Sequence, residues 1–169
     1  SWGVAGLKVD FFMNDSNIRM EQYHIIADLM TENRLMINFH GNTKPAGEGR
    51  TWPHLMTEEG IMGLEHYKWS DMPNARHNCT VPFTRNVIGP MDYTPTGFSN
   101  GNRNTTLGHQ LALSVVFDTG IYHIAESIHS LLAYRGTDFL RRTHGVYDES
   151  RLLGGYPGSH AVVMRRKGD

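Results

Sequence analysis

The sequence predicts an α/β protein with a parallel sheet, and three observations carry that reading. An apolar run, Val4-Ala5-Gly6-Leu7-Lys8-Val9, ends on Asp10. A stretch of helical periodicity separates it from a second apolar run, Leu35-Met36-Ile37-Asn38-Phe39-His40. Strand, helix and strand within about 35 residues make a βαβ unit and hence a parallel pair. Third, an apolar run ending on an acid recurs at Ile61-Met62-Gly63-Leu64-Glu65. In a parallel α/β barrel the side chains at the C-terminal ends of strands face the active site. Asp10 and Glu65 therefore read as two carboxylates converging on one pocket, and paired carboxylates are the machinery of glycoside hydrolysis.

Residues 4–10 are apolar apart from Lys8, as in a strand buried on both faces. Asn14-Asp15-Ser16-Asn17 supplies several N-cap candidates. Ile18, Glu21-Gln22, Ile25-Ile26 and Leu29-Met30 recur at helical spacing, which predicts an amphipathic helix over 18–33. After the strand over 35–40, the Gly- and Pro-rich stretch from Gly41 to Arg50 reads as a loop. Glu58-Glu59 then precedes a short strand over 61–65. Residues 66–86, rich in His, Asn and Pro, read as a second long irregular stretch. Val87-Ile88-Gly89-Pro90-Met91-Asp92 reads as a further strand with an acid at its end, although Pro90 removes a ladder donor. A helix is expected over 105–117, with Leu107, Leu111 and Val115 on one face. A second is expected over 121–132, entered from Asp118-Thr119-Gly120, then a short helical piece over 137–142 and a final strand over 161–164. Long loops inside a compact domain are usually functional, and both long loops here follow strand ends on the side of Asp10 and Glu65.

The chain has 169 residues, enough for one ordinary domain. A complete eight-fold α/β barrel usually needs roughly 250. A net charge of −1 and a pI of about 6.8 argue against a nucleic-acid surface. No apolar stretch reaches the roughly 18 residues of a membrane-spanning helix. There is no initiator Met, and both ends adjoin apolar runs, so the chain is expected to be cut from a longer one, with any targeting segment outside it. The lone Cys79 excludes an intrachain disulfide within this segment and reads as small buried filler. The ten His residues show no HExxH or paired Cys/His spacing, which argues against a zinc site.

A series of phrases resembles glycoside hydrolase family 97. The first are Gly3-Val4-Ala5-Gly6-Leu7-Lys8-Val9-Asp10-Phe11, then Phe39-His40-Gly41 with Lys44-Pro45 and Gly47. Arg50-Thr51-Trp52-Pro53, Thr57-Glu58-Glu59-Gly60 and Gly63-Leu64-Glu65 follow. Pro82-Phe83-Thr84-Arg85, Gly89-Pro90-Met91-Asp92-Tyr93-Thr94-Pro95 and Tyr147-Asp148-Glu149-Ser150 complete the series. Any one phrase is weak; eight in order over nearly the whole chain are specific.

The resemblance implies a calcium-dependent exo-α-glycosidase, periplasmic or secreted in bacteria. Its (β/α)8 barrel, a TIM barrel, would lie between an N-terminal β-sandwich and a C-terminal β domain. This chain would be the C-terminal half of that barrel, from about strand 4. Residues 1–150 would belong to the barrel, and 151–169 to its end and the start of the C-terminal domain. The substrate would be an oligo- or polysaccharide with a terminal α-linked sugar.

By the same resemblance, Asp10 matches the nucleophile of the retaining, α-galactosidase branch, and Glu65 the acid/base. The inverting, α-glucosidase branch lacks the acid at position 10 and carries a Glu where this chain has Gly41. Both departures point to retention. Glu59 matches a calcium ligand, Glu65 on the same side of the site is a second candidate ligand of the ion, and His40 matches a substrate-contacting His.

Retention needs an ionised nucleophile and a protonated acid, so Glu65 is expected to have a raised pKa. Lys8, two residues before Asp10, is expected to share its face, favour its ionised form and bind a sugar hydroxyl. Asp92 reads as a binder of sugar hydroxyls or a turn cap. Arg85 reads as a partner of a site acid or a loop brace. Trp52, Trp69 and Tyr93 are candidates for stacking on a sugar ring, or are loop core. The alternatives are α-glucosidase activity and an inactive carbohydrate-binding or scaffold segment, since half a barrel has open sheet edges.

Overall fold

The computed structural model describes residues 2–69, 73–99, 101 and 103–168. Its centre is a three-stranded parallel sheet of β1 (Gly6–Val9), β2 (Met36–Phe39) and β3 (Leu55–Glu58), in that order. Helix α1 (Asn17–Glu32) connects β1 to β2. Its N-cap is Ser16, whose own side chain makes no capping bond; the Asn14 side chain accepts the Ser16 N–H instead (3.1 Å). Lys8 pairs with Asn38 and Asn38 with Thr57, while Val9 pairs with Phe39 and Phe39 with Glu58. Lys8, Asn38 and Thr57 therefore share one face of the sheet, and Val9, Phe39 and Glu58 the other. The second face packs on α1 through a core of Phe12, Tyr23, Ala27, Met30, Ile37, Phe39 and Leu55. The Tyr23 ring lies 4.2 Å from Phe12 and 5.0 Å from Phe39, within the range of favourable aromatic pairs.

Several sequence expectations change. β1 is not buried on both faces: it is the first strand of the sheet, and Val4 (52%) and Leu7 (48%) are exposed. The third strand is not 61–65 but Leu55–Glu58, so the Glu58-Glu59 pair, not Glu65, stands at its C-terminal end. Residues 61–63 form a loop after Gly60 (φ 46°), and Leu64–Lys68 is a 3-10 turn. Leu64 is fully buried there, so its apolar character reports a core contact and not a strand.

The loop over 41–50 runs into a one-turn helix, α2 (Glu48–Thr51), and the stretch over 66–86 is not irregular throughout: α3 (Ala75–Thr80) and the 3-10 turns Val81–Phe83 and Arg85–Ile88 follow in its second half. The strand expected over 87–92 is reduced to one parallel bridge, Glu58 with Met91. Arg85 replaces the missing ladder. Its buried guanidinium donates to the carbonyls of Glu58 (2.7 Å), Glu59 (3.2 Å), Gly89 (3.0 Å) and Pro90 (3.2 Å). It is a loop brace, and no site acid is its partner in these bonds. One planar, multi-donor head suits that task where a lysine would not.

A second core, of Leu64, Val81, Met91, Tyr93, Leu113 and Phe117, lies against α4 (Leu107–Val116). The helix expected over 121–132 is confined to α5 (Ile128–Ala133). Upstream, the backbone is tied elsewhere: the Ala125 N–H donates to the Pro95 carbonyl. The Glu126 carboxylate accepts the backbone N–H groups of Ser99 and Ser127. α6 (Thr137–Leu140) follows. The final strand is one arm of an antiparallel hairpin, β4 (Glu149–Tyr156) with β5 (His160–Arg166), a sheet separate from the first. Among the described residues no helix is long and apolar enough to cross a membrane.

Glu58 lies on the α1 face, where burial and then the nearby Glu48 charge push its carboxyl up to about 7, against the opposing effects of Arg85 and Asn42. A carboxyl raised in the folded state stabilises fully below its unfolded value, near 4.5, and that stability is lost as pH rises through the folded value. The displacement corresponds to about 3 kcal/mol. Glu58→Gln keeps an acceptor for Asn42 and removes the charge. Urea midpoints should match wild type at pH 4.5 and exceed it at pH 8 by up to about 3 kcal/mol. The same difference at both pH values would contradict a buried, neutral Glu58.

Candidate active site

The C-terminal ends of β1, β2 and β3 carry Asp10, His40 and Glu59. The turn that follows carries Glu65. All four line an open cleft of about 710 Å³, with Gly41, Lys68 and Trp69 on its wall.

His40 is the centre of this group. It is 6% exposed, and both ring nitrogens meet carboxylates. Nδ1 lies 2.9 Å from Asp92 Oδ2; Nε2 lies 2.8 Å from Glu65 Oε1 and 3.4 Å from Glu59 Oε1. Burial opposes charging the ring, but the Asp92 hydrogen bond and the Glu59 charge outweigh it, and the pKa is raised. The imidazolium, with a proton on each nitrogen, fits this geometry.

Asp92 is the most heavily partnered acid of the group and is 1% exposed. Its Oδ2 receives the Lys8 ammonium (2.8 Å), the Asn38 amide (2.6 Å) and His40 Nδ1, while His123 Nδ1 stands 3.4 Å from Oδ1. Burial would raise its pKa; His123, His40, Asn38 and Lys8 together hold it far below the usual carboxylate range. The expectation that Lys8 serves Asp10 is therefore corrected, because its ammonium is engaged by Asp92. Asp92, expected to bind sugar hydroxyls or cap a turn, is 1% exposed here and bonded to Asn38 and His40. His123 was missed altogether. It sits in the loop ahead of α5, and no sequence pattern marks it.

Asp10 is exposed at the cleft, and its Oδ1 accepts the Phe11 N–H (2.5 Å). Glu59 and Glu65 differ. Burial raises Glu59 despite His40 and the Gly41 N–H, which donates to its Oε2 at 2.7 Å. Glu65 moves the other way. Burial would raise it, but the Lys68 hydrogen bond (3.1 Å) and the His40 charge win, and the pKa is lowered. The raised pKa expected for Glu65 is thus not the state of the unliganded cleft, and the cause is Lys68, one turn further on.

Of the three aromatic candidates, Tyr93 is buried and bonded to Asn78 (2.6 Å). Trp52 is stacked on His24 and donates to Asp28, on the α1 side. Trp69 alone of the three lines the cleft, 72% exposed.

Four non-glycine residues with left-handed backbones flank the acids: Phe11 (φ 70°) and Met13 (φ 61°) after Asp10, Thr94 (φ 53°) and Thr96 (φ 78°) after Asp92. Left-handed threonines are unusual because of the branch at Cβ. Such strain collects at functional sites.

Comparisons with known proteins find relatives over nearly the whole chain. The family model described as glycoside hydrolase 97 matches residues 1–61. A probable retaining alpha-galactosidase of Streptomyces bingchenggensis is 41% identical, aligned over 99% of this chain and 26% of that protein. The retaining alpha-galactosidase of Bacteroides thetaiotaomicron is 34% identical, over 99% of this chain and 28% of that one. The chain is thus similar to glycoside hydrolase family 97 along its first 61 residues, and to these two proteins along nearly all of its length. It spans about a quarter of the length of these curated relatives. Among solved structures, a beta-arabinopyranosidase superposes with a TM-score of 0.87 at 32% identity, over 98% of this chain and 29% of that one. A family 97 enzyme from Pseudoalteromonas sp. in complex with panose superposes with a TM-score of 0.83 at 30% identity, over 91% and 25%.

Removing the Asp92 charge should disrupt the hub of this site. Breaking a buried pair by removing one partner costs about 3–5 kcal/mol. Asp92→Asn should lower unfolding stability on that scale, and Lys8→Met in the Asp92→Asn background should cost less than Lys8→Met alone. Additive losses in a double-mutant cycle would contradict the coupling.

Proposed function

We propose that this chain supplies the acid pair of a retaining exo-α-glycosidase, with α-galactosides as substrate, on the C-terminal half of a (β/α)8 barrel. The observation that carries the proposal is that Asp10 and Glu65 open into one cleft from two segments, while position 41 carries no carboxylate. The curated relatives named retaining alpha-galactosidases support the sugar and the stereochemistry. The half-barrel reading is supported by the parallel order β1-β2-β3 and by the exposed apolar flank of β1, where a further strand fits. The separate β4–β5 sheet supports placing residues 151–169 at the start of a C-terminal β domain, although β4 itself begins at Glu149.

In this reading an Asp10 carboxylate oxygen attacks the anomeric carbon. The glycosidic C–O bond breaks, and the Glu65 proton passes to the leaving oxygen. Glu65 then takes a proton from water, whose oxygen attacks the same carbon and expels Asp10. Two inversions give net retention, and the geometry requires the two carboxyl groups about 5–5.5 Å apart. Glu65 must carry a proton at the start. A sugar seated in the cleft excludes water, which strengthens the desolvation that favours protonated Glu65, against the Lys68 and His40 contacts that favour its ionised form. Lys8, His40 and Asp92 then act as one unit below the sugar, with the ring of His40 at the cleft floor.

Calcium is the ion proposed for the site. Glu59 and Glu65 each turn an oxygen toward His40 Nε2, so two hard donors already converge. Among the described residues no group of three His, Cys, Asp or Glu side chains forms a metal site, so the remaining ligands would be water or groups outside this chain. When bound, the ion would orient the sugar hydroxyls and favour negative charge on these acids.

A second reading is favoured by the likeness to the beta-arabinopyranosidase. A β-L-arabinopyranoside has the ring configuration of an α-D-galactopyranoside without its C6 hydroxymethyl, and the same acids would serve. Anomer-resolved NMR of early product from an aryl α-galactoside should show α-galactose first, with β-galactose appearing only by mutarotation. First-formed β-sugar would overturn retention, and faster turnover of the aryl β-L-arabinopyranoside would favour the second reading.

A further inference from the structure

We propose that Gly41 is a positioning residue of this site: its missing side chain is the berth of the Asp10 carboxylate, and its backbone ties the Asp10 segment to Glu59. The inference rests on the reading of Asp10 as nucleophile. Three observations on the glycine converge. A Cβ at position 41 would stand 2.4 Å from Asp10 Oδ1 and 2.9 Å from the Phe11 nitrogen. Both belong to the hydrogen-bonded unit that fixes the carboxylate, since the Phe11 N–H donates to Oδ1. The Gly41 carbonyl accepts the Met13 N–H at 2.7 Å, which draws the segment after Asp10 against β2. The Gly41 N–H donates to Glu59 Oε2 at 2.7 Å.

One residue thus sets the nucleophile on one side and a second acid on the other. The backbone is left-handed there (φ 55°), which suits glycine and aims its N–H and C=O at these two partners. A methyl group at this position has nowhere to go. Neither neighbour is the free end of a long side chain: Oδ1 sits on a short, hydrogen-bonded carboxylate and Phe11 N is backbone. The carboxylate must therefore move. A displacement of about 1 Å at a reacting group can cost on the order of 100-fold in rate. The loss should fall on kcat, since the sugar-binding surface is otherwise unchanged.

The test uses the intact protein and four variants, assayed with an aryl α-galactoside. Gly41→Ala should lose on the order of 100-fold in kcat with KM within about threefold. Gly47→Ala is the control for backbone strain: that glycine is also left-handed (φ 115°), but its Cβ would meet nothing within 4 Å. It should keep its kcat. In Asp10→Gly the berth is empty, so added azide should restore turnover equally with and without Gly41→Ala. A crystal structure of Gly41→Ala should show the Asp10 carboxylate displaced from its wild-type place. The proposal is overturned by an unchanged kcat in Gly41→Ala, by an equal loss in Gly47→Ala, or by an unmoved carboxylate. It is also overturned if the Gly41→Ala loss persists in the azide-restored background. Absence of azide rescue in Asp10→Gly itself sinks the nucleophile reading instead, and the crystal structure still decides the berth.

Discussion

The Asp92 carboxylate, buried beneath the cleft, is the charge on which the rest of the site depends. Taking an acid out of water costs several kcal/mol, and close opposite charge and hydrogen bonds offset that cost. Lys8, Asn38 and His40 converge on Oδ2, while Oδ1 has only His123 nearby, at 3.4 Å, and accepts no hydrogen bond among the described residues. They come from β1, from β2 and its end, and from the loop before α5, so one carboxylate ties three segments to its own. Asp92 itself is carried by a stretch joined to β3 through a single bridge and the Arg85 fork.

From that hub the electrostatics of the cleft follow in sequence. Asp92 favours the charged His40 ring, the ring faces Glu65 and Glu59, and the two acids are set apart by their second neighbours. Glu65 has Lys68 beside it and stays ionised; Glu59 is more buried and is raised. Environments that push neighbouring acids in opposite directions are the usual means by which one site performs acid and base steps. The direction found for Glu65 is that of the open cleft. The acid role asks that the arriving sugar reverse it by excluding water.

Much of this was legible in the sequence, and the failures have physical causes. The βαβ unit, α1 and α4 were visible because their apolar residues repeat at strand and helix periods. Asp10, His40, Glu59 and Glu65 were named from motifs and do line one cleft. The third strand was misplaced because Leu55-Met56-Thr57-Glu58 is short and half polar, whereas 61–65 looks more apolar and owes that to the buried Leu64. The helix over 121–127 failed because its backbone donors and the Glu126 carboxylate bond to the 95–99 loop. Which lysine serves which acid was not readable either. Lys8 and Asp92 are eighty-four residues apart in the chain and meet only through the sheet.

In the proposed function Asp10 forms the covalent bond to the sugar, in the cleft that His40 and Glu65 also line. A slow fluorinated α-galactosyl inactivator, followed by peptide mass mapping of the intact protein, tests that claim most directly. The account predicts one glycosyl adduct, on the peptide containing Asp10 and at that carboxylate. An adduct on another residue, or full turnover with no adduct under conditions that trap a covalent intermediate, would contradict it.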